Sequence, residues 1–135
     1  MSELRIEATV GNLEKVLSYV DAKLEECGCP MQIQIQIDIA VEEIFVNIAN
    51  YAYTPGKGDA VMHAEIVDGK VFRMVFKDKG IPYNPLAKED PDITLSAEER
   101  QIGGLGIFMV KKSMDDMQYE RMGDQNVLTI SKNIA

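Results

Sequence analysis

Gln32-Ile33-Gln34-Ile35-Gln36-Ile37-Asp38-Ile39 alternates polar and apolar residues, which is the period of a half-buried β-strand. Followed further, the same stretch supplies Ile33, Ile37, Ala40, Val41, Ile44 and Ile48, an apolar stripe at helical spacing. The helical pattern runs much the further of the two, and length decides between them, because strands usually end after about 4–8 residues. One long helix is therefore expected from about residue 31 to Tyr53. Its β-branched residues cost a few tenths of a kcal/mol each in helix propensity, which tertiary burial outweighs.

Toward the N-terminus, residues 4–10 alternate and predict a first strand. Asn12 is a candidate helix cap, and Leu13, Val16, Leu17, Val20 and Leu24 recur at helical spacing up to the terminator Gly28. Toward the C-terminus, Thr54-Pro55-Gly56-Lys57-Gly58-Asp59 reads as a loop. Residues 60–67 and 70–78 read as strands joined by Asp68-Gly69, a strong hairpin signal. Residues 79–102 lack periodicity and contain Pro82, Pro85 and Pro91, and a loop of that length is usually functional. A helix from Leu105 to Met114 and a final hairpin, Tyr119–Met122 with Val127–Ser131, complete the chain. Hairpin-linked strands with interspersed helices predict an α+β two-layer sandwich: a mainly antiparallel sheet with helices on one face, in one domain spanning residues 1–135.

Composition narrows the function classes. A net charge of -8 without a Lys/Arg cluster repels a phosphate backbone, so direct nucleic-acid binding is not expected. Cys27 and Cys29 form no four-ligand zinc set and His63 stands alone, so these are read as reduced thiols and a structural histidine. The start Met1-Ser2-Glu3-Leu4-Arg5 does not resemble a signal peptide, and no stretch approaches the ~20 apolar residues of a membrane span. A cytoplasmic protein without membrane contact is expected.

Three features carry chemistry. In a helix, Glu43, Asn47 and Asn50 stand at i, i+4 and i+7 and share a face. Glu can take a proton, and an Asn carbonyl is a hard oxygen ligand suited to Mg²⁺. An ordinary solvated helix face has the same composition. In the second feature the apolar strand Val71-Phe72-Arg73-Met74-Val75-Phe76 stops at Asp78-Lys79-Gly80. A carboxylate there can orient a ligand amine in an otherwise apolar cleft, or simply make a turn. The third, Gly103-Gly104-Leu105-Gly106, opens a helix and offers free N–H donors and a partial positive charge to a polyphosphate. No lysine follows in Walker spacing, so it is not a P-loop.

Taken together, Glu43-x-x-x-Asn47, Asp78-x-Gly80 and Gly103-Gly104-Leu105-Gly106 resemble the N box and the two glycine boxes of the histidine-kinase-like (Bergerat, GHKL) ATPases. Tyr51-Ala52-Tyr53 and Met114-Asp115-Asp116 are similar to the branch of anti-sigma factor serine/threonine kinases. Pro82 stands where the common first glycine box has its second Gly. The resemblance implies ATP as ligand, with Asp78 at the adenine amino group, Asn47 on Mg²⁺, the backbone around Gly104 and Gly106 on the phosphates, and Asn50, Gly80, Gly103 and Leu105 as further nucleotide-binding residues. It implies Glu43 as general base toward a serine hydroxyl. Arg100 is either a cation at the γ-phosphate or a solvated loop residue. The implied partners are a sigma factor and a small anti-anti-sigma (STAS-type) substrate, with a homodimer compatible. A binding module without catalysis and a stand-alone ATPase stay open as alternatives.

Overall fold

The computed structural model describes residues 3–53, 56, 58–82 and 104–135. Strand β1 (Glu3–Glu7) leads through a short 3₁₀ turn at Val10–Asn12 into helix α1 (Leu13–Glu26) and then helix α2 (Met31–Asn47). A π turn, Ile48–Ala52, extends α2. Strands β2 (Asp59–Val67) and β3 (Val71–Asp78), helix α3 (Gly104–Ser113), and strands β4 (Asp116–Met122) and β5 (Gln125–Asn133) follow. The five strands form one sheet in the order β1-β2-β3-β5-β4, and every pair is antiparallel. The expected α+β sandwich is the observed one.

The segment that could have been a strand is helical. Ile37, Ala40, Val41, Ile44 and Phe45 are fully or almost fully buried, whereas Ile35 is 51% and Ile39 54% exposed. A strand would have put all four isoleucines of 33–39 on one face; the helix sends two inward and two outward. Burial of Phe45, Ile37 and Ile44 contributes about 1.5–3 kcal/mol each, well above their propensity cost.

Helix α1 ends at a Schellman motif, which explains why Gly28 is needed. Gly28 has φ +75°, its N–H donates to the Glu25 carbonyl at 3.2 Å, and the Cys29 N–H donates to the Leu24 carbonyl at 3.0 Å. Asn12 occupies the N-cap position but does not cap with its side chain. Its Nδ2 donates back to the Glu7 carbonyl at 2.9 Å, which fastens the 3₁₀ turn where strand had been expected through residue 10. Between β2 and β3, Asp68 and Gly69 both take positive φ (54° and 68°), as a type I′ turn requires. Lys70 belongs to that turn, so β3 begins one residue later than expected.

The inward residues alternate along the strands: Met62 and Ala64 on β2, Phe72, Met74 and Phe76 on β3, Leu128 and Ile130 on β5. Val16, Val20 and Leu24 of α1, the apolar face of α2, and Val110 and Met114 of α3 pack on this face in one core. The Tyr19 hydroxyl of α1 accepts the Ala64 N–H at 3.0 Å, just beyond the end of the β1–β2 ladder. No helix among the described residues is long and apolar enough to cross a membrane.

Helices α1 and α2 enclose an acidic cluster. Gln34, itself buried, donates through Nε2 to Asp21 at 3.2 Å and to Glu25 at 3.4 Å. One turn further along α2, Asp38 has a buried Oδ1 that no donor among the described residues reaches. Burial first, then the facing Asp21 and the charge of Glu25, raise its pKa to about 7. The folded chain thus keeps a proton on Asp38 that the unfolded chain releases near pH 4, so stability falls as pH rises from about 4 to about 7. Asp38→Asn removes that loss. It should stabilise the chain by about 1 kcal/mol above pH 8, after discounting for the partly solvated side chain, with the gain fading toward pH 5. Denaturant unfolding of both chains across that range checks it.

Candidate functional site

The alternation that fills the core continues past its last apolar residue. On β3 the inward series Phe72, Met74, Phe76 ends in Asp78, and on β5 the series Ile130, Leu128 ends in Asn126. These two are paired across the sheet, and both are buried, Asp78 at 6% and Asn126 at 7% exposure. A carboxylate thus lies on the core face, under the helix layer, where a charge is retained only if it is hydrogen-bonded. Asp78 Oδ1 accepts the Gly80 N–H and the Asn126 Nδ2–H, each at 2.9 Å. Oδ2 takes no donor from the described residues.

The segment after Asp78 is pinned to the end of the helical stretch that carries Glu43 and Asn47. The Ile81 N–H donates to the Ala52 carbonyl at 3.0 Å. A Cβ on Gly80 would lie 2.6 Å from the Ala52 carbonyl carbon and Cβ, and closer still to its oxygen. Gly80 is therefore a glycine because the π turn passes directly over it. Tyr53, just after that turn, ties the same corner together: its hydroxyl donates to the Asp59 carbonyl at 2.6 Å and accepts the Lys79 N–H at 2.7 Å. Burial holds the Tyr53 phenol above its ordinary pKa, with Asp78 and Asp59 adding to the effect and the Lys79 bond and Arg5 opposing it.

Glu43 and Asn47 lie one turn apart on the last two turns of α2, both partly buried. Asn47 Nδ2 is buried and has no hydrogen-bond partner among the described residues. An orphaned buried amide in a native fold calls for an explanation, and a ligand supplies one. Its Oδ1 is a hard ligand for Mg²⁺ and its Nδ2–H a donor to a phosphate oxygen, so this residue fits a metal–polyphosphate pair. Asn50 falls within the π turn, so it leaves the straight i+7 register expected with Glu43; it is exposed. π turns are frequent at functional sites, because the surplus residue re-aims neighbouring groups.

Helix α3 begins at Gly104, so Gly104, Leu105 and Gly106 form its first turn, and the helix packs against α2. The first-turn N–H groups of a helix are free donors. Gly103 and Arg100 lie outside the described residues. Among the described residues no group of three or more His, Cys, Asp or Glu could hold a metal by itself.

Asn126, Tyr119 and Arg121 were not among the residues expected at the site. The Tyr119 hydroxyl donates to Asn126 Oδ1, the Asn126 Nδ2 also donates to the Ile81 carbonyl at 2.8 Å, and Arg121 donates to the Gly80 carbonyl at 2.9 Å. Gly123-Asp124-Gln125-Asn126 reads as a four-residue turn in the sequence. The turn is in fact Gly123-Asp124, with Gly123 at φ +61°, and Asn126 is a strand residue. An Asn inside a strand is unfavourable by propensity, and that was the available signal.

A carboxylate on a core face, a glycine under a helix end and an amide one turn from a glutamate, without a partner among the described residues, are groups whose chemistry suits a nucleotide. The chain belongs to the histidine kinase-like ATPase domain family, whose model matches residues 6–132. It is similar to the serine/threonine-protein kinase BtrW of Bordetella bronchiseptica, at 24% identity over 104 residues, covering 77% of this chain and 73% of that protein. Its fold is that of the structure of the RsbU and RsbW domains of Rv1364c from Mycobacterium tuberculosis (TM-score 0.66, 18% identity, 98% of this chain). The match spans 32% of that longer chain. The histidine kinase domain of a blue-light-activated kinase from Erythrobacter litoralis shares the fold as well (TM-score 0.57, 15% identity, 93% of this chain and 60% of that one). The resemblance to the anti-sigma serine/threonine kinases agrees with these findings.

Proposed function

We propose that this chain is an ATP-dependent serine kinase that regulates a sigma factor. The observation that supports the reading is the junction of the Gly80–Ile81 segment, which follows the buried Asp78, with the π turn at Ala52, which follows the helix bearing Glu43 and Asn47. The similarity to a protein named as a serine/threonine kinase, and the fold shared with an RsbW domain, support it.

In this reading Asp78 accepts a hydrogen bond from the adenine amino group, and Gly80 keeps the wall beside the base thin. Asn47 holds Mg²⁺, with Asn50 and the N–H groups of Gly103, Gly104, Leu105 and Gly106 facing the phosphates. Bound Mg²⁺ supplies charge neutralisation on the phosphates. Arg100 adds a positive charge near the γ-phosphate. Glu43 takes the proton from the attacking serine hydroxyl of a protein substrate. Phosphoryl transfer needs mainly positioning and electrostatic stabilisation, and these groups supply both. The substrate is a small anti-anti-sigma protein of STAS type, the sequestered partner is a sigma factor, and the site of action is the cytoplasm. The reading contains no direct contact with nucleic acid or membrane; a homodimer is compatible with it.

The test is calorimetric titration with Mg-ATP, then incubation with small proteins encoded beside this chain and mass spectrometry. Nucleotide binding with phosphoserine on one partner is the expected result. Binding without transfer to any partner marks a regulator-binding module, and partner-independent phosphate release marks an ATPase. No binding at all overturns the nucleotide reading.

A further inference from the structure

Asp78 has neighbours that do more than satisfy it. Both hydrogens of the Asn126 amide are committed, one to Asp78 Oδ1 at 2.9 Å and one to the Ile81 carbonyl at 2.8 Å. Its oxygen accepts the Tyr119 hydroxyl. With all three bonds made, the amide has one orientation: rotated by half a turn, it would set its oxygen against two acceptors. Asp78 Oδ1 is then held by two donors, Gly80 N–H and Asn126 Nδ2–H, while Oδ2 stays clear of the described donors. The carboxylate is thereby turned so that one oxygen belongs to the protein and the other to a ligand. Arg121 steadies the same loop from β4 through the Gly80 carbonyl.

We propose that Asn126, oriented by Tyr119, is the positioning residue that aims the free oxygen of Asp78 and so sets the preference for a base presenting an amino group. The inference rests on the reading of Asp78 as the adenine acceptor. The discrimination has a physical basis. An acceptor held in one direction rewards an amino donor and penalises a carbonyl in its place, because two acceptors then face each other unpaired. A carboxylate free to rotate loses part of that difference, since either oxygen can turn away.

The experiment measures affinities for Mg-ATP and Mg-GTP in the parent chain, Asn126→Ala and Tyr119→Phe, with unfolding midpoints of the nucleotide-free proteins alongside. Loss of one hydrogen bond to a charged group predicts about a tenfold weaker ATP affinity for Asn126→Ala, with GTP affinity little changed. Tyr119→Phe should reduce the ATP-over-GTP ratio by roughly threefold, because the amide keeps its two donations but loses the bond that fixes its tilt. A merely structural role lowers both affinities together and leaves the ratio intact, and that result overturns the inference while the nucleotide reading stands. Should Asn126→Ala not fold, Tyr119→Phe decides alone, and an unchanged ratio overturns the proposal. A parent chain that binds no adenine nucleotide overturns the reading of Asp78 and this inference with it.

Discussion

Glu43→Gln is expected to bind Mg-ATP as the parent does and to transfer phosphate to its protein substrate on the order of 10²–10⁴-fold more slowly, the usual contribution of a general base. The change keeps the size and hydrogen-bonding reach of the side chain while removing its ability to take a proton. Glu43 is partly buried on α2, one turn before Asn47, so the substitution disturbs neither the buried face Ile37–Ala40–Val41–Ile44 nor the orphaned amide. Affinity by calorimetry and single-turnover transfer rates separate the two roles. Transfer at the parental rate would remove Glu43 from the chemistry. A parallel fall in affinity would make it a structural residue of the helix.

Gly80→Ala should be the most damaging single methyl group at this site, costing about 3 kcal/mol of stability and abolishing measurable nucleotide binding. The new Cβ would collide with the Ala52 carbonyl group, which is backbone and cannot swing aside. Relief requires the loop to lift from the π turn. That movement breaks the Ile81–Ala52 bond at 3.0 Å and the Gly80 donation to Asp78. Denaturant unfolding reads the stability loss and titration reads the binding. A folded variant with parental affinity would show that the two segments separate freely and that their contact does not shape the site.

These two residues show how far the chain can be read before it is folded. Glu43 and Asn47 are separated by four positions in a segment whose helical period outlasts its strand-like alternation, so their shared face follows from spacing. Asp78 and Gly80 stand where an apolar strand stops, which is visible in the chain. What spacing cannot supply is the partner across space. Ala52 meets Gly80 only after α2 has packed on the sheet. Asn126 meets Asp78 only through the β3–β5 register, which joins residues 48 apart. The π turn at Ile48–Ala52 contains neither Gly nor Pro, so no local residue announces it, and Asn50 was accordingly expected on a straight helix. Asn12 looked like a cap because Asn favours that position; the carbonyl of Glu7 competed for the same side chain and won.

The double character of residues 32–39 has a consequence outside the native state. Released from the core, this segment is an alternating Gln/Ile tract without proline, a composition prone to cross-β stacking between chains. Its one charge is Asp38, muted in the folded protein by its raised pKa of about 7 but fully acidic in an unfolded chain at neutral pH. The residue that strains the contact between α1 and α2 thus acts as a gatekeeper against self-association whenever that contact opens. Exchange of Asp38 for a neutral side chain trades solubility of the opened chain for firmness of the closed one.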